Sequence, residues 1–195
     1  NKVKTTGNLT DDLPKGQQLF KDLKFLENNF SGVIPLEVIV DTKKRNGLMK
    51  AYNMKKIDSL SNLLFSYSEF SKPLSYIDLI KHAKQAFYNG DPLFYALPNS
   101  QEISIINRLM NKKDDKINIL NNLVDTSKQQ ARISLRVADI SSVKMDSIFS
   151  SLKPQIDKIF DPKIYNVTIT GATIVFLEGT KFLLKNLFTS LSIVL

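Results

Sequence analysis

Seven residues, Ala131-Arg132-Ile133-Ser134-Leu135-Arg136-Val137, alternate apolar and polar without a break. Successive side chains of a strand point to opposite faces of its sheet. Ile133, Leu135 and Val137 therefore face a core, while Arg132, Ser134 and Arg136 face outward. Two further runs behave alike. Tyr165-Asn166-Val167-Thr168-Ile169-Thr170 alternates up to Gly171, which breaks it. In Leu36-Glu37-Val38-Ile39-Val40-Asp41 the residues Leu36, Val38 and Val40 share one face, with Ile39 partly covered on the other. The framework is a sheet with one buried face.

Between these runs the apolar period lengthens to that of helices. Asp11-Asp12 and Pro14 form a start signal for a helix over about 17–29, striped by Leu19, Leu23 and Leu26 with Phe20 beside them. Gly32-Val33-Ile34-Pro35 reads as a break before the first strand. Helices follow over about 55–69 and 76–88. Between them 71–75 is short and extended, and Pro73 confines it to a sheet edge or a strand start. Ser100-Gln101-Glu102 caps a helix over about 101–112, and 117–124 lies between helix and strand, with an extended piece at Leu123-Val124. A helix capped within 139–142 runs to Phe160, where Pro154 marks a kink or a restart. The last helix spans about 174–188. This is a βαββαβ order, so the expected class is α+β: a ferredoxin-like sandwich with a helical insertion at about 93–122. The expected organisation is a linker and helix over 1–32, the sandwich over 33–172 and a C-terminal helix over 173–195.

The chain's 195 residues suit one large domain or two small ones. With no cysteine, disulfides and thiolate zinc sites are excluded. The net charge of +8 raises nucleic acid as a partner. Its distribution argues against that: the densest basic cluster is Lys43-Lys44-Arg45, and no aromatic-basic interleaving of the RNA-recognition type appears. The seven glycines are isolated, and none opens a phosphate loop. The single histidine, His82, lies among Lys81 and Lys84, where a solvated side chain is expected rather than a catalytic base. Asp11-Asp12 and Asp114-Asp115 lack the spacing of a calcium loop. Three glycosylation sequons, at Asn8, Asn29 and Asn166, are of a kind that chance supplies in an Asn- and Ser-rich chain. No catalytic residue, metal site or cofactor is expected. Arg132 and Arg136, on one exposed strand face, are placed to meet an anionic group, or simply to lie in solvent or in ion pairs.

Residues 1–12 are polar and include no apolar signal-peptide core. The last nine residues, from Leu187, carry no charge. They suit either a core helix tucked against the sheet or the first turns of a membrane span, which needs roughly 20 apolar residues. Both ends read as cuts in a longer protein.

Four stretches, in order, carry a resemblance. The first is Leu13-Pro14, Leu23 and the run Phe25-Leu26-Glu27-Asn28-Asn29-Phe30-Ser31-Gly32-Val33-Ile34-Pro35-Leu36-Glu37-Val38-Ile39-Val40-Asp41-Thr42. Next come Ser71-Lys72-Pro73-Leu74-Ser75-Tyr76-Ile77-Asp78-Leu79 and Ala131-Arg132-Ile133-Ser134-Leu135-Arg136-Val137-Ala138-Asp139. The fourth comprises Thr170-Gly171, Glu178-Gly179-Thr180, Leu187 and Ser190-Leu191. Together they resemble the first large extracytoplasmic loop of resistance-nodulation-division (RND) permeases, between membrane helices one and two, in the MMPL/Patched-like branch. The resemblance covers most of the chain except about 93–122. It departs at Ser31, where a second glycine is common.

The resemblance implies a periplasmic porter domain of an inner-membrane exporter. Such proteins use a proton gradient to move hydrophobic or amphipathic compounds, often lipids. It implies partners in the second porter loop and the membrane helices of the same transporter, and a hydrophobic small molecule or lipid as substrate. It implies no cofactor and no chemistry within this segment, since the proton-relay carboxylates of such transporters lie in their membrane helices. Small-molecule sites are mostly apolar, which makes Leu93, Phe94 and Tyr95 candidate substrate contacts; the plain alternative is that they form the core of the insertion. The basic charge does not oppose this placement, because long loops translocate largely regardless of charge. A different class of function, a free-standing α+β ligand-binding module, would bury residues 187–194 against its own core.

Overall fold

A computed structural model describes residues 14–99, 101–104 and 120–194. It is mixed α+β, with a three-stranded antiparallel sheet in the order β2-β1-β3. Helix α1 (Gln18–Phe30) precedes β1 (Ile34–Asp41). Helices α2 (Ala51–Phe65) and α3 (Tyr76–Phe87) separate β1 from β2 (Gln130–Val137). Helix α4 (Ser142–Ile159) leads to β3 (Asn166–Thr170), and α5 (Ala172–Val194) follows. The remainder of the 101–112 helix and Asp11, Asp12, Asp114 and Asp115 lie outside the described residues.

The alternation in the sequence is the alternation in the sheet. Leu36, Val38 and Val40 of β1 and Ile133, Leu135 and Val137 of β2 are buried on one face. Met54, Ile57, Leu60 and Leu64 of α2 close over them, with Met145, Leu152 and Ile156 of α4. Fully burying a side chain of this size stabilises by about 1.5–3 kcal/mol, so this layer is the main source of stability.

Strand β1 begins earlier than the sequence suggested and contains Pro35. The backbone groups of Arg136, its partner in register, bond to Ser71 on the far side, and the carbonyl of Pro35 accepts the Thr173 hydroxyl at 2.9 Å. Pro35 thus faces away from β2, beyond the last residue of β3, and no ladder bond is lost by its missing N–H. Pro154 lies within one continuous α4, on its exposed side. Its missing N–H frees the Ser150 carbonyl, which is on a face that water reaches.

Residues 70–74 make two isolated antiparallel bridges to β2, at Phe70–Val137 and Leu74–Ser134, with Pro73 between them. The extended piece near Leu123-Val124 is one bridge, Val124 to Ala131. Two glycines fix the end of the sheet where α1 and α5 meet it. Gly32 has φ of +136°, and a Cβ there would lie 2.8 Å from the Val137 carbonyl. Gly171 has φ of +104°, and a Cβ would lie 3.0 Å from the Pro35 oxygen. No other residue suits both the backbone and the space.

Candidate functional site

The outer face of the sheet carries Pro35, Glu37 and Ile39 on β1, Arg132, Ser134 and Arg136 on β2, and Thr168 and Thr170 on β3. At one end of this face is an open groove of about 600 Å³. Its walls are Phe30 and Ser31 at the end of α1, Pro35 and Glu37 on β1, Ser134 to Arg136 on β2, and Ser71, Lys72 and Leu74 on the adjoining edge.

Each wall has a local cause. Ser31 is left-handed at φ +55°, which ends α1 and turns Phe30 over the sheet. The Arg136 guanidinium lies 5.7 Å from the centre of the Phe30 ring, a cation–π contact. Ser71 is held by the backbone of Arg136: its hydroxyl accepts the Arg136 amide at 2.9 Å, and its own amide donates to the Arg136 carbonyl at 2.9 Å. Leu74 exchanges backbone bonds with Ser134 at 2.8 and 2.9 Å, and its side chain stays 44% exposed.

Glu37 sits at the floor. Its Oε1 accepts the Ser134 hydroxyl at 3.1 Å. Its Oε2 lies 3.3 Å from Nε of Arg132, but without hydrogen-bond geometry, so this is a charge contact only. Arg132 is thus in an ion pair, whereas Arg136 rests on a ring and Lys72 lines the groove. The groove combines apolar surface (Phe30, Pro35, Leu74) with two cations, three hydroxyls and the Glu37 carboxylate, whose charge Arg132 offsets. That chemistry suits an amphipathic molecule with an anionic head.

Leu93, Phe94 and Tyr95 are elsewhere, in a short 3-10 turn (Pro92–Phe94) and the residue after it, against α3. Phe94 stacks on Tyr88 with ring centres 3.9 Å apart. The Tyr95 hydroxyl donates to Asp78 at 3.3 Å, and its ring lies 4.7 Å from that of His82. Leu93 is 85% exposed. Phe94 and Tyr95 therefore fasten the insertion to α3, and these residues are not brought to the groove. His82 is exposed on α3. Among the described residues no cluster of His, Asp and Glu is arranged to hold a metal ion.

The insertion has a second fastening. Glu102 accepts Lys84 Nζ and the Tyr88 hydroxyl, both at 2.9 Å, and the Asn99 amide at 2.8 Å. Burial pushes its carboxyl up, but these partners outweigh burial and hold it below the ordinary carboxylate range. Asn99 Oδ1 accepts the Glu102 amide in return, at 2.9 Å, a reciprocal capping box. The cap is therefore Asn99, one residue before the Ser100-Gln101-Glu102 signal.

Helix α5 is the other notable surface. Thr173 and Leu177 are buried against the sheet. Lys181 then pairs with Asp146 of α4 at 2.6 Å. Beyond it Phe182, Leu183, Leu187, Phe188 and Leu191 are all at least half exposed. Among the described residues no helix is long and apolar enough to cross a membrane.

No protein-family model matches the chain. No curated protein is significantly similar to it.

Proposed function

We propose that this chain is an extracytoplasmic porter domain of a proton-driven exporter similar to the RND permeases, and that its sheet groove forms part of the path for an amphipathic substrate. One observation carries the reading: the second half of α5 presents five large apolar side chains that stay at least half exposed among the described residues. Exposed apolar surface of that extent calls for a membrane or a partner. In this reading α5 leads toward the bilayer, and α1 returns from it at the same end of the sheet.

The finer fold we infer is a ferredoxin-like sandwich whose second strand is reduced to residues 70–74. Support comes from the two bridges of Phe70 and Leu74, which set that segment beside β2 and so make the spatial order 70–74, β2, β1, β3. Helices α2 and α4 then cover one face, as such a sandwich requires. The domain's part is to line and to move, without chemistry of its own. A free-standing binding module would bury residues 187–194, and the exposure of Leu187, Phe188 and Leu191 weighs against it.

The coding sequence on either side of this chain tests the reading. Apolar segments of about 20 residues on both sides, each close to the domain, are the expected result. A natural chain that begins and ends here without them overturns it.

A further inference from the structure

The two edges of the sheet are unlike. Beside β2 lie residues 70–74, with Lys72 and Pro73. Charge and proline are among the features by which proteins keep edges from pairing. The opposite edge is β3, Asn-Val-Thr-Ile-Thr, which has neither. Val, Ile and Thr favour extended backbone.

The register identifies the unused backbone groups. Ser134 and Arg136 bond outward to Leu74 and Ser71, so they are turned away from β1. Alternation then turns Glu37, Ile39 and Asp41 toward β3, and Asn166, Thr168 and Thr170 toward β1. The N–H and C=O of Val167 and Ile169 face out, and no described residue bonds to them. Under this edge, between β3 and α4, are two hollows of about 300 and 280 Å³ that share Lys153, Asp157 and Val167. Lys153 and Asp157 are opposite in sign and four residues apart on α4, and neither has an ion-pair partner among the described residues.

We propose that a second copy of this chain docks here, β3 against β3, antiparallel about a twofold axis at Thr168. In that register Val167 lies opposite the partner's Ile169, and Ile169 opposite the partner's Val167, so every outward backbone group finds its complement. The side chains of the partner's Val167 and the partner's Ile169 continue the inner face and fill the hollow above Ile156. The two copies of α4 run antiparallel across the axis, which brings Lys153 to the partner's Asp157. The edge is thus complementary to itself in hydrogen bonding, apolar surface and charge. The proposal rests on the edge alone and stands or falls apart from the transport reading.

The chain has no cysteine, so one introduced thiol reports position. Thr168 on the axis forms a non-hydrogen-bonded pair with its own copy, with Cα atoms about 4.5 Å apart and within disulfide reach. Thr168 is exposed, so Thr168→Cys preserves the fold. Mild oxidation is expected to give a covalent dimer. Asn166→Cys and Thr170→Cys, each alone, are expected to give no covalent dimer, because each thiol faces the other position in the partner, and an equimolar mixture of the two is expected to cross-link. In sedimentation equilibrium at 0.15 M salt, Thr168→Lys sets like charges opposite and is expected to weaken the dimer at least about tenfold. Lys153→Asp is expected to weaken it, and Lys153→Asp with Asp157→Lys to restore it. A monomer at about 200 µM with no preference among the three thiol positions overturns the proposal. So does cross-linking of Asn166→Cys alone, or a monomer whose β3 edge instead captures an extended Val/Ile-rich peptide.

Discussion

The Tyr165 hydroxyl donates to Oδ1 of Asn53 at 2.8 Å, joining residues 112 positions apart in the chain. Asn53 passes the connection on, donating from Nδ2 to the Gly47 carbonyl at 2.8 Å. Both side chains are buried, so the start of β3, the first turn of α2 and the turn after β1 are tied through one polar chain. Phe160 packs edge-on against the Tyr165 ring, and the Lys56 ammonium lies 5.0 Å from the ring centre while bonding to the Ile159 carbonyl at the end of α4.

Removing the Tyr165 hydroxyl leaves a buried Asn53 oxygen without its donor. Tyr165→Phe is expected to cost about 1–2 kcal/mol. Asn53→Ala loses both bonds and is expected to cost more, about 2–4 kcal/mol. Urea unfolding of the two variants checks the order. Equal stability of Tyr165→Phe and the parent would show that the chain of bonds contributes little.

The groove makes a prediction about charge. A dansyl-labelled long-chain carboxylic acid is expected to bind there through its head at Arg136 and Lys72. Losing one charge-assisted bond is worth about 1.5–3 kcal/mol, so Arg136→Ala is expected to weaken binding about 10- to 150-fold. Lys55→Ala, on the exposed side of α2, should leave it unchanged. Fluorescence titration reads both. Equal effects of the two substitutions would mean that the probe responds to net charge and not to the groove.

Helix α5 should separate stability from surface behaviour. Leu183→Glu with Leu187→Glu alters side chains that are already more than half exposed, so the change in unfolding free energy is expected to stay within about 0.5 kcal/mol per site. Binding to phosphatidylcholine vesicles should be lost. Zwitterionic lipid is the right probe, because anionic vesicles would attract the +8 chain by charge alone. A variant that is strongly destabilised would instead place these leucines in a core.

Acid should weaken the domain through three depressed carboxylates. The Lys144 bond lowers Glu69, with its own backbone bond adding to this. Burial pushes Asp125 up, but its bonds from Ser127, Gln130 and Gln129 outweigh burial and hold it low, as the partners of Glu102 do. Each folded value lies below the unfolded one, so the contribution is full above the unfolded range of about 3.9–4.3 and is lost as pH falls through the folded values. Stability is therefore expected to decline below about pH 4.3. Asp125→Asn, whose bonds to Gln129 and Gln130 amides are both 2.7 Å, should lower stability at pH 7 and flatten the acid limb. An unchanged acid limb in Asp125→Asn would remove that residue from the account.

What was legible in the sequence was whatever one element decides alone. The strand at Ala131–Val137 shows because its buried and exposed faces alternate, and Met145, Ile148, Leu152 and Ile156 show α4 because they repeat on one face. Pro35 is not legible as a strand residue, because a proline is harmless there only where the neighbouring strand has ended, and that depends on β3, far along the chain. Glu37 is inconspicuous in the sequence for a similar reason. A glutamate on a strand's outer face has no signature until Ser134 and Arg132, nearly a hundred residues later, are set beside it. The aromatic run at Leu93 reads either as a ligand contact or as insertion core, and the engagement of Phe94 by Tyr88 and of Tyr95 by His82 depends on where α3 lies, which sequence spacing does not reveal.

The register of β1 with β3 has a mechanical consequence. Helix α1 meets the start of β1, and α5 leaves the end of β3, at the same end of two neighbouring antiparallel strands. Tension applied between the two helices therefore falls first on the rung at Glu37 and Thr170 and peels the ladder one pair at a time, whereas pulling from opposite ends would load all the rungs in shear. Thr173, bonded to the Pro35 carbonyl just outside that first rung, acts as the clasp. A domain strung in this way yields at its attachment before its core is strained, so its two legs are able to part slightly while the helical layer on the far side of the sheet stays intact.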